Sequence, residues 1–173
     1  WKNYYENGIL KSIGYKNNGF SDSTWVFYDK QGRINWKYEY KADKKNGCAQ
    51  QFDTLGHLRQ EFYYVNDVVQ GEKQWYYPNG ALQKTGSFLN GKEVGLALEY
   101  SPEGVVITEE VYDNGYLKDR AEFNRLDEQG RKTGTWREYY PDGTIRTEQN
   151  YKDGQKFGLS KTYGPKGKLV DIQ

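Results

Sequence analysis

A glycine placed four residues after an aromatic residue returns along the whole chain, and its spacing leaves room for little but repeated short strands. The pairs are Tyr4/Gly8, Tyr28/Gly32, Phe52/Gly56, Tyr76/Gly80, Tyr100/Gly104, Tyr139/Gly143 and Tyr163/Gly167, so successive glycines lie 24, 24, 24, 24, 39 and 24 residues apart. A fixed period of this length marks an array of supersecondary units, each too small to bury its apolar face alone. The single exception exceeds the period by 15 residues, which places an insertion at about 116–130 in the fifth repeat.

Other positions keep the same register. Two residues after the glycine stands Leu10, Ile34, Leu58, Leu82, Val106, Ile145 or Leu169, always aliphatic. Eight residues after it stands Tyr40, Tyr64, Phe88, Tyr112 or Tyr151, while the first repeat is out of step with Lys16. A second glycine follows at Gly47, Gly71, Gly95 and Gly158, with Ser23 in its place in the first repeat and Gly134 after the insertion. All four prolines, Pro78, Pro102, Pro141 and Pro165, lie two residues before the repeating glycine. Proline presets φ early in a tight turn, and the glycine behind it takes the positive φ that closes a bulged hairpin. Glu6-Asn7-Gly8, Pro78-Asn79-Gly80 and Pro141-Asp142-Gly143 are therefore expected as hairpin tips. A helix does not survive breakers at this spacing, so each repeat reads as two short strands. The expected fold is all-β: one repeat domain over 1–173, an elongated array of about seven 24-residue hairpins in a twisted antiparallel meander.

Strand parity divides the side chains between two faces. With strict alternation, the aromatic before the glycine and positions two and eight after it form the packed face: Tyr76, Leu82 and Phe88 in one repeat, Tyr139, Ile145 and Tyr151 in another. The opposite face then carries Trp1, Tyr5, Trp25, Phe27, Trp75, Tyr77, Trp136 and Tyr140. Such a stripe either covers the open sheet or binds a partner, because Trp and Tyr give large contact areas and dominate binding hot spots. The insertion, YLKDRAEFNRLDEQG, mixes Leu117, Ala121, Phe123 and Leu126 with charges. An extra strand or hairpin and a projecting recognition loop both fit that pattern.

Few kinds of chemistry are left open. Lysine and arginine number 25 against 24 acidic residues, without a long block of one sign, which disfavours a nucleic-acid partner and an anionic lipid surface. No run approaches the ~20 apolar residues of a transmembrane helix. The hydrophobic share is 35%, low for a thick core, yet 17% of the residues are aromatic, far too many for a disordered chain. Cys48 and His57 are the only residues of their kinds, so an internal disulfide and the usual zinc ligand sets are absent. His57 occupies a variable position just behind a glycine, and Cys48 reads as an ordinary small residue. The neighbours Glu109 and Glu110 point to opposite faces of a strand and cannot act together as acid and base. Gly91-Lys92-Glu93-Val94-Gly95 is a poor match to a phosphate-cradling loop. The expectation is a protein that is not an enzyme, with no catalytic residue, metal or cofactor.

The units EKQWYYPNGALQKTGSFLNGKEVG and TGTWREYYPDGTIRTEQNYKDGQKFG resemble the MORN-repeat variant of bacterial proteins of the YwqK-type antitoxin family. The resemblance implies a non-enzymatic β-repeat protein, with antitoxin or immunity roles in some members. The expected function is recognition of a protein partner, a toxin or a surface protein, through the aromatic-lined face. The alternative is a cell-wall or carbohydrate-binding repeat protein, since the WxxYYxxG pattern is also similar to choline- and glucan-binding repeats. The charged second strands, such as Thr144-Ile145-Arg146-Thr147-Glu148, favour the protein partner. Terminal strands leave dimerisation by edge pairing open. The compartment expected is the envelope or surface of a bacterium, or the cytoplasm for an antitoxin.

Overall fold

A computed structural model gives the structure of residues 1–141 and 143–173. The described residues form sixteen strands and no helix. In chain order these are β1 (Lys2–Tyr4), β2 (Leu10–Asn17), β3 (Phe20–Tyr28), β4 (Ile34–Lys41), β5 (Lys44–Phe52), β6 (Leu58–Val65), β7 (Val68–Tyr76), β8 (Leu82–Leu89), β9 (Lys92–Tyr100), β10 (Val106–Asp113), β11 (Tyr116–Glu122), β12 (Arg125–Leu126), β13 (Lys132–Tyr139), β14 (Ile145–Lys152), β15 (Gln155–Tyr163) and β16 (Leu169–Ile172). Each strand pairs with its neighbours in sequence, β1 to β11 in one sheet and β12 to β16 in another. The all-β antiparallel meander expected from the repeat is what the chain forms. Two compact units divide it: Trp1–Gly104 with Glu110–Asp119, and Val105–Glu109 with Arg120–Gln173.

The repeating glycines close five-residue loops. In the loop at 77–81 the Tyr77 N–H donates to the Ala81 carbonyl at 2.8 Å and the Gly80 N–H to the Tyr77 carbonyl at 2.9 Å, with Gly80 at φ 82°. A side chain satisfies the remaining loop amides. Asp29 Oδ1 accepts from Gln31 N–H at 2.9 Å and Arg33 N–H at 3.0 Å, whereas in the Tyr77 loop Asn79 Oδ1 accepts from Ala81 N–H at 3.0 Å. The tip residues expected from the sequence therefore have defined jobs. Of the tip expected at Pro141-Asp142-Gly143, Asp142 lies outside the described residues, while the Gly143 N–H donates to the Tyr140 carbonyl at 2.9 Å.

The other ends of the strands are joined by two-residue turns. Asn90-Gly91 has φ 52° and 78°, and Asn66-Asp67 has φ 48° and 68°. Two consecutive positive φ values give the type I′ turn, whose twist matches that of the strands it joins.

Each regular hairpin unit also carries two bulges, and they decide which side chains share a face. Gly71 lies inside β7, at φ 76°, where the register passes from Glu61↔Gln74 to Tyr63↔Gln70 and leaves extra residues on β7. The second bulge follows the loop, where Trp75↔Lys84 gives way to Tyr76↔Leu82 and Gln83 is left over on β8. The extra residue reverses the parity of β8. Leu82 keeps company with Tyr76, but Phe88 crosses to the face of Trp75, where the two rings lie 6.4 Å apart. The same holds for Trp25 with Tyr40 at 6.4 Å and Trp136 with Tyr151 at 6.0 Å. The parity assignment that put positions two and eight on one face is thus corrected by one unpaired residue per hairpin.

In the first unit, Trp25, Ala49, Phe62 and Ala97 are the buried apolar residues, all at 5% exposure or less. Ala49 pairs with Tyr38 on one side and Phe62 on the other, so large side chains close over a small one within a single sheet. The insertion forms strand β11, a bend at Phe123-Asn124, strand β12 and a loop at 127–131 with the same closure, Asp127 N–H to the Arg131 carbonyl at 2.9 Å. The bend is the core of the second unit. Asn124 donates through Nδ2 to the Val106 carbonyl at 2.8 Å and accepts the Arg137 N–H at 2.8 Å. The Arg137 guanidinium lies 3.7 Å from the Phe123 ring centre and pairs with Glu109 at 3.0 Å and Glu148 at 2.8 Å.

Candidate partner-binding surface

The eight aromatic residues expected to line a partner-binding stripe are spread over different environments. Trp25 is 5% exposed and donates its indole Nε1–H to the Tyr15 carbonyl at 3.2 Å. Trp136 is half-buried and donates to the Arg125 carbonyl at 3.1 Å. Phe27 meets Tyr38 edge-on at 5.7 Å, and Trp75 leans on Phe88. Tyr5, Tyr77 and Tyr140 donate their hydroxyls to the carbonyls of Tyr28, Tyr100 and Tyr163 at 2.7, 2.7 and 2.8 Å. Those three bonds reach the next repeat, 23 residues on, and clip neighbouring loops together. Trp1 stands apart at 70% exposure, with the Lys16 ammonium 5.3 Å from its ring.

Residues that strict alternation assigned elsewhere complete this face. Trp36 stacks on Tyr38 with ring centres 5.1 Å apart and planes 11° from parallel, and meets Phe62 edge-on at 6.2 Å. Lysines lie across the rings: Lys45 is 4.3 Å from Tyr38 and 5.0 Å from Tyr64, Lys73 is 4.5 Å from Phe62 and 4.7 Å from Trp75, and Lys132 is 4.2 Å from Trp136. Each such contact adds a modest cation–π attraction and covers ring surface with an aliphatic stem. Burial pushes the Lys73 ammonium below, and the Tyr38 phenol above, their usual ranges. The aromatic face of the first unit is largely covered by its own side chains.

The opposite face of the same strands is a different surface. Glu61, Tyr63 and Val65 alternate along β6 with the ring-bearing Phe62 and Tyr64, and Tyr63 pairs with Cys48 and Gln70. Tyr63 is 48% exposed, Val65 50%, Leu96 53% and Val111 40%. Glu61, Tyr63, Glu72 and Gln74 line a shallow depression of about 220 Å³. Glu39 fills the space beside Gly47 and accepts the Cys48 N–H at 3.0 Å. Burial, with Glu61 and Glu39 adding to it, pushes the Cys48 thiol up to about 11, so it is a neutral thiol at physiological pH.

His57 sits in an exposed loop with its Nδ1 3.3 Å from Asp53 Oδ2. Among the described residues no group of three or more His, Cys, Asp or Glu side chains is placed to hold a metal ion. Among the same residues no helix is long and apolar enough to cross a membrane.

Four stretches of the chain, residues 1–17, 45–66, 69–90 and 132–153, match the MORN repeat variant. No curated protein matches the chain. Among solved structures, one chain of the crystal structure of the GtfA/B complex bound to UDP and GlcNAc is similar over 93% of this chain, at 14% identity and a TM-score of 0.30. This chain covers 28% of that one, and a likeness of this size carries no conclusion about function.

Proposed function

We propose that this chain is a non-catalytic binding module that holds a protein partner against the face of its first sheet carrying Tyr63, Leu96 and Val111. The observation behind this reading is the contrast between the two faces. One is covered by its own rings and lysine stems, while the other presents large apolar side chains at 40 to 53% exposure. Large apolar side chains left exposed among polar ones are a mark of a docking surface. The repeat matches support a scaffold that displays such a surface. The partner class implied by the sequence resemblance is a toxin or a surface protein.

The test is affinity capture with the tagged chain from the cells that make it, alongside a Leu96→Lys, Val111→Thr version checked for an unchanged melting temperature. A stoichiometric protein retained by the parent chain and lost from the variant supports the reading. Equal retention places the contact elsewhere, and capture that free sugars compete away replaces the protein partner with a carbohydrate.

A further inference from the structure

The carboxylates on this face lack the ion pairs that several other fixed carboxylates of the protein make. Glu110 meets Lys84 at 2.9 Å, Glu148 meets Arg137 and Lys161 at 2.8 Å, and Asp29 meets Arg33 at 2.7 Å. Glu39, Glu61 and Glu72 are held by neutral donors only. Glu39 accepts the Cys48 N–H at 3.0 Å, Glu61 accepts the Gln50 amide at 2.6 Å, and Glu72 accepts the Gln74 amide. Among the described residues none of the three has a cationic group within 4 Å. Lys37, on the same face of β4 as Glu39, lies over the Phe52 ring at 5.1 Å instead. With 25 cationic residues against 24 acidic ones, a shortage of lysine and arginine does not explain this.

We infer that the docked segment of the partner protein is cationic, and that one of its lysine or arginine side chains seats in the depression between Glu61, Tyr63, Glu72 and Gln74. The inference rests on the proposed protein-binding role and names the chemistry of the partner. Two carboxylates give the depression its charge, and the exposed ring of Tyr63 adds a π face to the same cation. Gln50 and Gln74 already fix the carboxylates, so little ordering remains to be done on binding. Beside the Cys48 sulfur and some burial, the charges of Glu61, Glu39 and Glu72 all act to raise the Tyr63 phenol above its ordinary range. Leu96 and Val111 offer apolar contact beyond the charged rim.

The probes are two synthetic nonapeptides that share alternating apolar residues, one with arginine between them and the other with glutamate. Their affinity for the full chain is read by fluorescence anisotropy. The arginine peptide is expected to bind, more weakly as salt rises, and the glutamate peptide not to bind. Glu61→Gln with Glu72→Gln should cost about tenfold in affinity, in the range of charged-pair losses at interfaces, without changing the melting temperature. Equal affinity of the two peptides, no binding of the arginine peptide, or a Gln variant within about twofold of the parent overturns the inference. Binding that ignores Glu61 and Glu72 but disappears with Leu96→Lys and Val111→Thr removes the cationic partner and leaves the docking face standing.

Discussion

The indole of Trp25 lies directly over Gly14: a Cβ on that glycine would come within 2.2 Å of ring atom Cδ2. The ring also donates its Nε1–H to the carbonyl of Tyr15, the next residue. Gly14 is required by the volume of a neighbour, since no positive φ is involved. Gly14→Ala should therefore force the indole aside and cost about 1–3 kcal/mol, as overpacking does. Trp25→Ala should cost about 3 kcal/mol or more through the cavity it leaves. Thermal melting of both variants measures this, and a Trp25→Ala chain as stable as the parent would return Trp25 to the surface.

The three tyrosine clips are separable. Tyr77→Phe removes only the hydroxyl donated to the Tyr100 carbonyl, so the expected loss is about 1 kcal/mol. Tyr140→Phe should cost a similar amount. The clips share no partner, so the double variant should equal the sum to within about 0.5 kcal/mol in denaturant titration.

Arg137 ties Phe123, Glu109 and Glu148 together in the second unit. Arg137→Met would leave Glu109 without that partner and should cost about 1–3 kcal/mol, below the range for a fully buried pair because the side chains are partly exposed. Burial alone would raise the Glu148 carboxyl, but hydrogen bonds from Lys161 and Arg137 outweigh it and hold the group below its usual value of 4.5. A depressed carboxylate stabilises the fold above its unfolded value and loses that contribution as pH falls through the folded one. Melting temperature should drop below about pH 4.5 in the parent, with a shallower drop in Arg137→Met.

Cys48, half-buried on the acidic face opposite Tyr63, offers a chemical check on that face. Its folded pKa of about 11 lies above the ordinary thiol value of 9.0, so the thiolate is scarce at neutral pH. Alkylation by iodoacetamide should be slower in the native chain than in urea, and should accelerate as pH approaches 11. Because the raised pKa favours the protonated fold, any stability it contributes is present below pH 9.0 and lost between there and 11. A native rate equal to the unfolded rate at neutral pH would contradict the burial.

Much of the architecture was legible from residue types. Pro78-Asn79-Gly80 named its own turn because ring closure and positive φ are properties of those residues, whatever surrounds them. Gly71 was legible as a repeated glycine but not as a bulge, since a turn and a bulge ask the same φ of it. The proposed docking face was not legible, since Tyr63, Leu96 and Val111 carry no signal of their own in the repeat; the eight aromatic candidates were named from spacing alone, without their surroundings. Trp25 and Trp1 hold equivalent places before their glycines, yet one is buried beneath its neighbours and the other is 70% exposed. The repeat is identical there; the strands around it are not.

By itself, then, the sequence determined a 24-residue hairpin repeat, its all-β class and the positions of its loops, because these follow from local backbone preferences repeated at fixed intervals. Which face became core was decided only in the assembled sheet. Gln83 has no partner on β7, and an unpaired residue exists only when two strands are in register. That offset carries Phe88 to the side of Trp75, and its counterpart on β6, where Arg59 is left over between Gln51↔Gln60 and Phe52↔Leu58, sets Phe62 on the aromatic face and Glu61 and Tyr63 on the other.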